Sequence, residues 1–180
     1  MKKLQILILF FITVFYSCER DDICAATTST TPRLIIEFYD VINTDDLKSV
    51  TRLTVYGEGL LTEAPTTETL ETLVFNTNVN RIELPLIIGN ENEQNTTRYI
   101  LEKDTDDRLD EDDTTESNVD IIEINYTTEF VYVSRACGYK SRFIGHSTIV
   151  ESDSDLWINN VETVETTIEN ENTVHVRIFH

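Results

Sequence analysis

Alternation of apolar and polar residues along most of the chain predicts β-strands. In Arg33–Tyr39, the residues Leu34, Ile36 and Phe38 share one face, and Val50–Tyr56 alternates in the same way. Successive side chains of a strand point to opposite faces of the sheet, so this pattern indicates strands with one buried face. The other segments of this kind are Thr72–Phe75, Arg81–Ile87, Thr97–Glu102, Val119–Tyr126, Phe130–Arg135, Lys140–Ile144 and Val174–Phe179.

The spacing of these segments predicts the fold class. Short strands rich in β-branched and aromatic residues, with no helix of core length between them, are typical of all-β proteins. We therefore expect an antiparallel β-sandwich, Ig-like or similar, of about seven to nine strands with one long acidic loop.

One segment has helical spacing but a β-rich composition. Trp157, Val161, Val164 and Ile168 recur at helical intervals in a stretch rich in Thr and Val. We expect a short helical turn at 155–160, a strand and hairpin after it, and a core position for Trp157.

The long acidic loop is expected between Lys103 and Asn118. This segment contains eight acids and one large apolar residue, Leu109, so burial cannot offset the entropy of ordering it. We expect a mobile loop joining two strands. Weak calcium binding by residues 103–118 is the alternative, although the segment lacks the glycine that calcium loops require.

The beginning of the chain has the layout of an export signal. Lys2 and Lys3 precede a nearly unbroken apolar run, Leu4–Tyr16, which is shorter than the roughly 20 residues of a spanning helix. Ser17 and Cys18 follow, and the segment 15–18 resembles a lipobox. We expect a lipoprotein signal peptide at 1–17, lipidation of Cys18, a tether at 18–31 and a single β-domain at 32–180. Ordinary secretion, with Cys18 a plain thiol, is the alternative.

Charge limits the classes of partner. The chain has 14 Lys and Arg against 33 Asp and Glu, a formal net charge of −19 at pH 7. Binding to phosphate backbones depends on basic side chains that displace counterions, so nucleic acid is excluded as a partner. The membrane is instead expected as a partner through the lipid on Cys18.

The remaining two cysteines form an even pair. If Cys18 carries lipid, Cys24 and Cys137 are left in an oxidising compartment, where we expect them to form a disulfide. The alternative is two unpaired, buried cysteines that pack as small apolar residues.

Four segments resemble a family of uncharacterised Bacteroidota lipoproteins of unknown function. They are 18–24, 31–36, 131–139 and 175–178. The acids at 19–22 are also similar to the export signal of surface lipoproteins in that group. The resemblance implies an outer-membrane lipoprotein, on the cell surface or the periplasmic face, in which the cysteine pair matters. It implies no reaction and no ligand.

Catalytic and metal-binding patterns are sparse. A hydrolase could use Ser134 or Ser147 with His146, but no Gly-x-Ser-x-Gly elbow is present, and no spacing suits a zinc site. We interpret His146 as a turn residue and His175 as a surface or strand-packing residue. The sequence predicts no enzyme, no metal site and no cofactor. Thr114 lies in a segment that resembles an O-glycosylation acceptor motif.

Three functions remain as hypotheses. The first is a non-catalytic module that binds an envelope protein or glycan through strand edges or loops. The second is a structural or assembly component of the cell envelope, and the third is a hydrolase.

Overall fold

The computed structural model describes residues 23–25, 28, 30–110, 112 and 114–180. Strands make up about half of this part of the chain. They are β1 (Leu34–Tyr39), β2 (Val50–Gly57), β3 (Thr72–Val79), β4 (Arg81–Leu84), β5 (Gln94–Lys103), β6 (Asn118–Ser134), β7 (Gly138–Val150), β8 (Asn160–Thr163), β9 (Thr167–Ile168) and β10 (Val176–Phe179). One short helix, α1 (Thr105–Leu109), follows β5.

The strands form two sheets, which confirms the all-β sandwich fold. The smaller sheet has the order β4-β1-β10-β8, and the larger has the order β3-β2-β5-β6-β7-β9. Neighbouring strands are antiparallel except β1 and β10, which pair in parallel. The two segments predicted separately at 119–126 and 130–135 are one continuous strand, β6, so that β6 and β7 make a long hairpin.

The core contains residues from both sheets. Leu34, Ile36 and Phe38 of β1 belong to it, as their alternation predicts. Trp157 is also in the core, as expected, with its ring centroid 6.2 Å from that of Phe38. Its indole N–H donates to the carbonyl of Leu101, so the polar edge of the ring is satisfied inside the core.

Three local expectations were wrong. Residues 155–160 form no helical turn and lead as extended chain into β8. The acidic segment is not a featureless loop, because α1 occupies its first part. His146 is not a turn residue: it lies within β7, next to Gly145, whose φ of 61° accompanies a β-bulge opposite Tyr126. A glycine inside a strand pattern often marks such a bulge.

The strand directions give the sandwich two distinct ends. At one end lie the turn of the β6–β7 hairpin and Cys24, and we call it the disulfide end. At the opposite end, Asp104 N–H donates to the Thr51 carbonyl and the Asn118 amide to the Asp155 carbonyl. We call this the acidic end, because α1 and the loops 40–49, 114–117 and 151–159 lie there.

Candidate functional site: the disulfide end of the sandwich

A disulfide joins the hairpin turn to the N-terminal segment. Cys24 and Cys137 are bonded, with their Cα atoms 4.9 Å apart, which confirms the predicted pairing of the two cysteines other than Cys18. The turn itself is shaped by Ser134, whose hydroxyl accepts the Cys137 N–H at 3.1 Å. Gly138 follows with a φ of 69°, a conformation that glycine adopts without steric cost. The disulfide therefore ties the described residues around Cys24 to the turn of the β6–β7 hairpin.

The segment after Cys24 is held against the domain by further contacts. The Thr31 hydroxyl accepts the backbone N–H of Ser141 on β7 at 3.0 Å. The Arg33 guanidinium donates to both carboxylate oxygens of Glu171 and pairs with Glu83 at 2.7 Å. The hydrogen bond from Arg33 lowers the pKa of Glu171 below its usual range. Where the described chain begins, it is therefore fixed at the disulfide end.

Three aromatic side chains are exposed near the hairpin turn. Phe130, Tyr132 and Tyr139 are 38%, 58% and 68% exposed. Tyr132 and Tyr139 are directly opposite in the ladder, and their rings meet edge to face with centroids 5.4 Å apart. These side chains follow the alternation of the buried Thr128 and Ser141. They therefore continue the inward face of the sheet to a level where it is no longer covered.

The charge of this hairpin differs from the rest of the chain. From residue 130 to residue 150 there is no Asp or Glu, although the protein has 33 of them. The same segment contains three basic residues, of which Arg135 is exposed within the turn. The turn of the β6–β7 hairpin thus presents exposed tyrosines and a cation, and the carboxylates of Glu83 and Glu171 at the same end are paired with Arg33. The acidic end presents mainly carboxylates.

The residues considered for hydrolysis are not brought together. Ser134 lies in the hairpin turn, where its hydroxyl is bonded to the backbone of the turn. Ser147 is exposed, while the ring of the adjacent His146 points to the other face of β7 and is only 2% exposed. The hydroxyl of Ser147 therefore has no access to the imidazole.

His146 and His175 form a buried pair. Their ring centroids are 6.4 Å apart, and the His175 Nδ1 accepts the Ile35 N–H at 2.9 Å. Neither ring nitrogen of His146 reaches a hydrogen-bond partner among the described residues. Burial lowers the pKa of His146 to about 4, and it also lowers the pKa of His175. Both rings are therefore neutral at pH 7, and His175 is not a surface residue.

Asp120 is a buried carboxyl that the sequence interpretation missed. It is 0% exposed, and its Oδ2 accepts the Ile158 N–H at 2.7 Å, while its Oδ1 has no partner in the described structure. Burial raises its pKa to about 6, and the charge of Asp153 adds to this effect. Asp120 is in phase with the core residues Ile122 and Ile124, so the alternation of β6 contained the signal.

The acidic segment is ordered at its start by a buried ion pair. The Arg108 guanidinium of α1 binds both oxygens of Glu102, which is 1% exposed, and also donates to the Pro65 carbonyl at 2.9 Å. Ser117 donates its hydroxyl hydrogen to the same carboxylate. Glu102 therefore fixes both ends of the segment, which sequence composition could not reveal. Among the residues the structure describes, no group of three or more side chains is arranged to hold a metal ion.

The remaining predicted residues divide between described and undescribed parts of the chain. Thr114 is exposed, and its hydroxyl donates to Asp112 Oδ1 at 2.6 Å; its glycosylation stays a prediction. The signal peptide at 1–17, Cys18 and the acids that follow it lie outside the described residues. Within the described part, no helix has the length and apolar character needed to span a bilayer.

These features define a class of protein: a two-sheet β-sandwich with one disulfide that joins its N-terminal segment to the turn of its longest hairpin. The chain belongs to the family of unknown function DUF6452, whose model matches residues 52–180. No curated protein and no solved structure matches the chain.

Proposed function

We propose that this protein is an exported lipoprotein, anchored through Cys18, that works outside the cytoplasm as a non-catalytic binding module. The observation that carries the proposal is the disulfide between Cys24 and Cys137. Structural disulfides persist in oxidising compartments and are rare in the cytosol. Cys24 follows the expected lipidation site by six residues, so the same short segment serves both the covalent anchor and the cross-link.

Mass spectrometry of the membrane-bound protein tests the anchor. The mature chain is expected to begin at an acylated Cys18, and Cys18→Ala is expected to abolish acylation and release the protein from membranes. Cys137→Ala is the matched control, because it removes the disulfide but leaves the acylation site. Retention of Met1, or a Cys18 without acyl groups, would contradict the proposal.

The geometry of the serines and histidines supports a non-catalytic role. A nucleophile must lie within hydrogen-bond reach of its base. His146 is enclosed in the sandwich and Ser147 faces solvent on the other side of β7. Alanine at Ser134, Ser147 or His146 should therefore change no hydrolytic rate measured in purified protein. Loss of a measured activity with all three variants would favour the hydrolase.

The acidic end supplies a shaped surface for a partner. Residues Asp107, Asp110 and Asp112 line a depression of about 420 Å³ beside α1. The ion pair between Glu102 and Arg108 holds α1, and with it the wall of this depression, in place. An electrostatically complementary surface speeds encounter and selects partners, so the expected partner is an envelope protein that presents Lys or Arg side chains. A neutral glycan would gain nothing from this charge.

Paired charge variants test this surface. Asp107→Asn with Asp110→Asn should weaken capture of the partner, and the capture by wild-type protein should weaken as salt is added. Glu91→Gln with Glu93→Gln removes the same charge elsewhere and should leave capture unchanged. Equal effects of the two pairs would remove the acidic end from the binding surface.

A further inference from the structure

The exposed aromatic residues of the hairpin turn lie in a position that suggests which surface they contact. The disulfide bonds the hairpin turn to Cys24. Through this bond, the turn is the part of the β-domain that is covalently nearest to Cys18. Cys24 is six positions after Cys18, and a fully extended chain of that length spans about 20 Å. If Cys18 is acylated, the turn is therefore held close to the lipid headgroups.

The composition of the turn suits that location. Tyrosine combines an apolar ring with a hydroxyl group that needs water, and it is enriched where bilayers meet water. Tyr132 and Tyr139 are among the most exposed aromatic residues that the structure describes, and they are adjacent. Arg135 lies between them in sequence, on the turn, where it can contact phosphate groups.

The distribution of charge also favours an orientation in which the hairpin turn faces the membrane. Anionic headgroups repel carboxylates, and the carboxylates of α1 and the adjoining loops are at the opposite end of the sandwich. The segment 130–150 is free of acids. The turn of the β6–β7 hairpin is therefore an acid-free part of the surface, and it approaches an anionic membrane at a lower electrostatic cost than the acidic end does.

We propose that Tyr132, Tyr139 and Arg135 rest in the headgroup region of the bilayer that carries the lipid of Cys18. This contact makes the hairpin turn a second, non-covalent membrane contact and directs the acidic end away from the membrane. The proposal rests on the lipidation of Cys18 proposed above. The occupant it names is the lipid surface, not a protein and not a second copy of the chain.

Fluorescence of the full acylated chain tests the contact. Tyr132→Trp and Tyr139→Trp introduce reporters at the turn, in vesicles of phosphatidylcholine and phosphatidylglycerol with brominated acyl chains. The expected result is a blue-shifted emission that the bromine atoms quench. Ile42→Trp is the control, because Ile42 is exposed, even more than the two tyrosines, but lies at the acidic end, and its emission should not be quenched. The wild-type protein gives the background signal of the buried Trp157.

Trypsin cleavage after Arg135 provides a second measurement that needs no new fluorophore. Cleavage should be slower in vesicles than in detergent, and Tyr132→Ser with Tyr139→Ser should restore the faster rate without releasing the protein. Unquenched emission at both tyrosine positions, with acylation verified by mass, would overturn the contact and leave the anchor intact. Absence of acylation would instead remove the anchor. Protection that requires high protein concentration and no vesicles would assign the turn to a second copy, which also overturns the proposal.

Discussion

Asp120 is the residue whose replacement gives the clearest stability prediction. Its carboxylate is fully buried, accepts one hydrogen bond from Ile158 N–H and leaves its second oxygen without a partner in the described structure. Asp120→Asn keeps an oxygen for the Ile158 N–H and removes the charge. Because the charged form is the costly form in this position, we expect the variant to be more stable than the wild type at neutral pH.

The size of the effect follows from the pKa. The folded-state pKa is about 6, against an ordinary value of 3.8. A raised pKa in an acid favours folding at low pH, and that contribution is lost as pH rises through about 6. The raised pKa of Asp120 therefore lowers the free energy of unfolding by about 3 kcal/mol at pH 7.4 and by about 1 kcal/mol at pH 4.5. The NH2 group of the asparagine side chain takes the place of Oδ1 and lacks an acceptor there, so we expect a net gain of about 1 to 3 kcal/mol at pH 7.4.

Urea unfolding followed by circular dichroism measures this gain. The advantage of Asp120→Asn over the wild type should shrink as the pH is lowered from 7.4 to 4.5. Asp153→Asn is the control: Asp153 raises the pKa of Asp120 through its charge, but it is exposed, so the variant should gain much less. A variant no more stable than the wild type at pH 7.4, or an advantage independent of pH, would refute the reasoning.

Three further changes test other parts of the structure. His146 has a lowered pKa of about 4, so it destabilises the fold as pH falls from 6.5 to 4, by about 3 kcal/mol; His146→Phe should remove this loss in urea titrations over that range. Replacing Cys24 and Cys137 by alanine should lower the unfolding free energy by about 2 to 5 kcal/mol, and an unchanged melting temperature would contradict this. Arg108→Met leaves the Glu102 carboxylate buried without its cation and should cost about 3 to 5 kcal/mol, seen as rapid proteolysis of the acidic segment; adding Glu102→Leu should recover most of the loss.

Asp120 and His146 show where the alternation of apolar and polar residues predicts burial correctly and where it does not. Asp120 lies in phase with Ile122 and Ile124, so strict application of the alternation would have placed it in the core. For His146 the same rule fails, because the bulge at Gly145 shifts the phase of β7. Phe143 faces inward before the bulge, and His146, not Ser147, faces inward after it. A bulge depends on the partner strand, which no local pattern specifies.

The sequence alone determined the fold class, most of the strand positions, the core role of Trp157 and the pairing of Cys24 with Cys137. The first three follow from alternation and side-chain size, and the cysteine pairing follows from assigning Cys18 to the lipid, which leaves two of the three cysteines. These are local or countable properties. The tertiary structure decided the burial of Glu102. The alternation of β5 places this residue outside the core, but α1 covers it and Arg108 of α1 forms an ion pair with its carboxylate. It also decided that Tyr132 and Tyr139 stay exposed. Their strand pattern resembles that of core residues, and only the length of the β6–β7 hairpin beyond the covered part of the sheet leaves them in solvent.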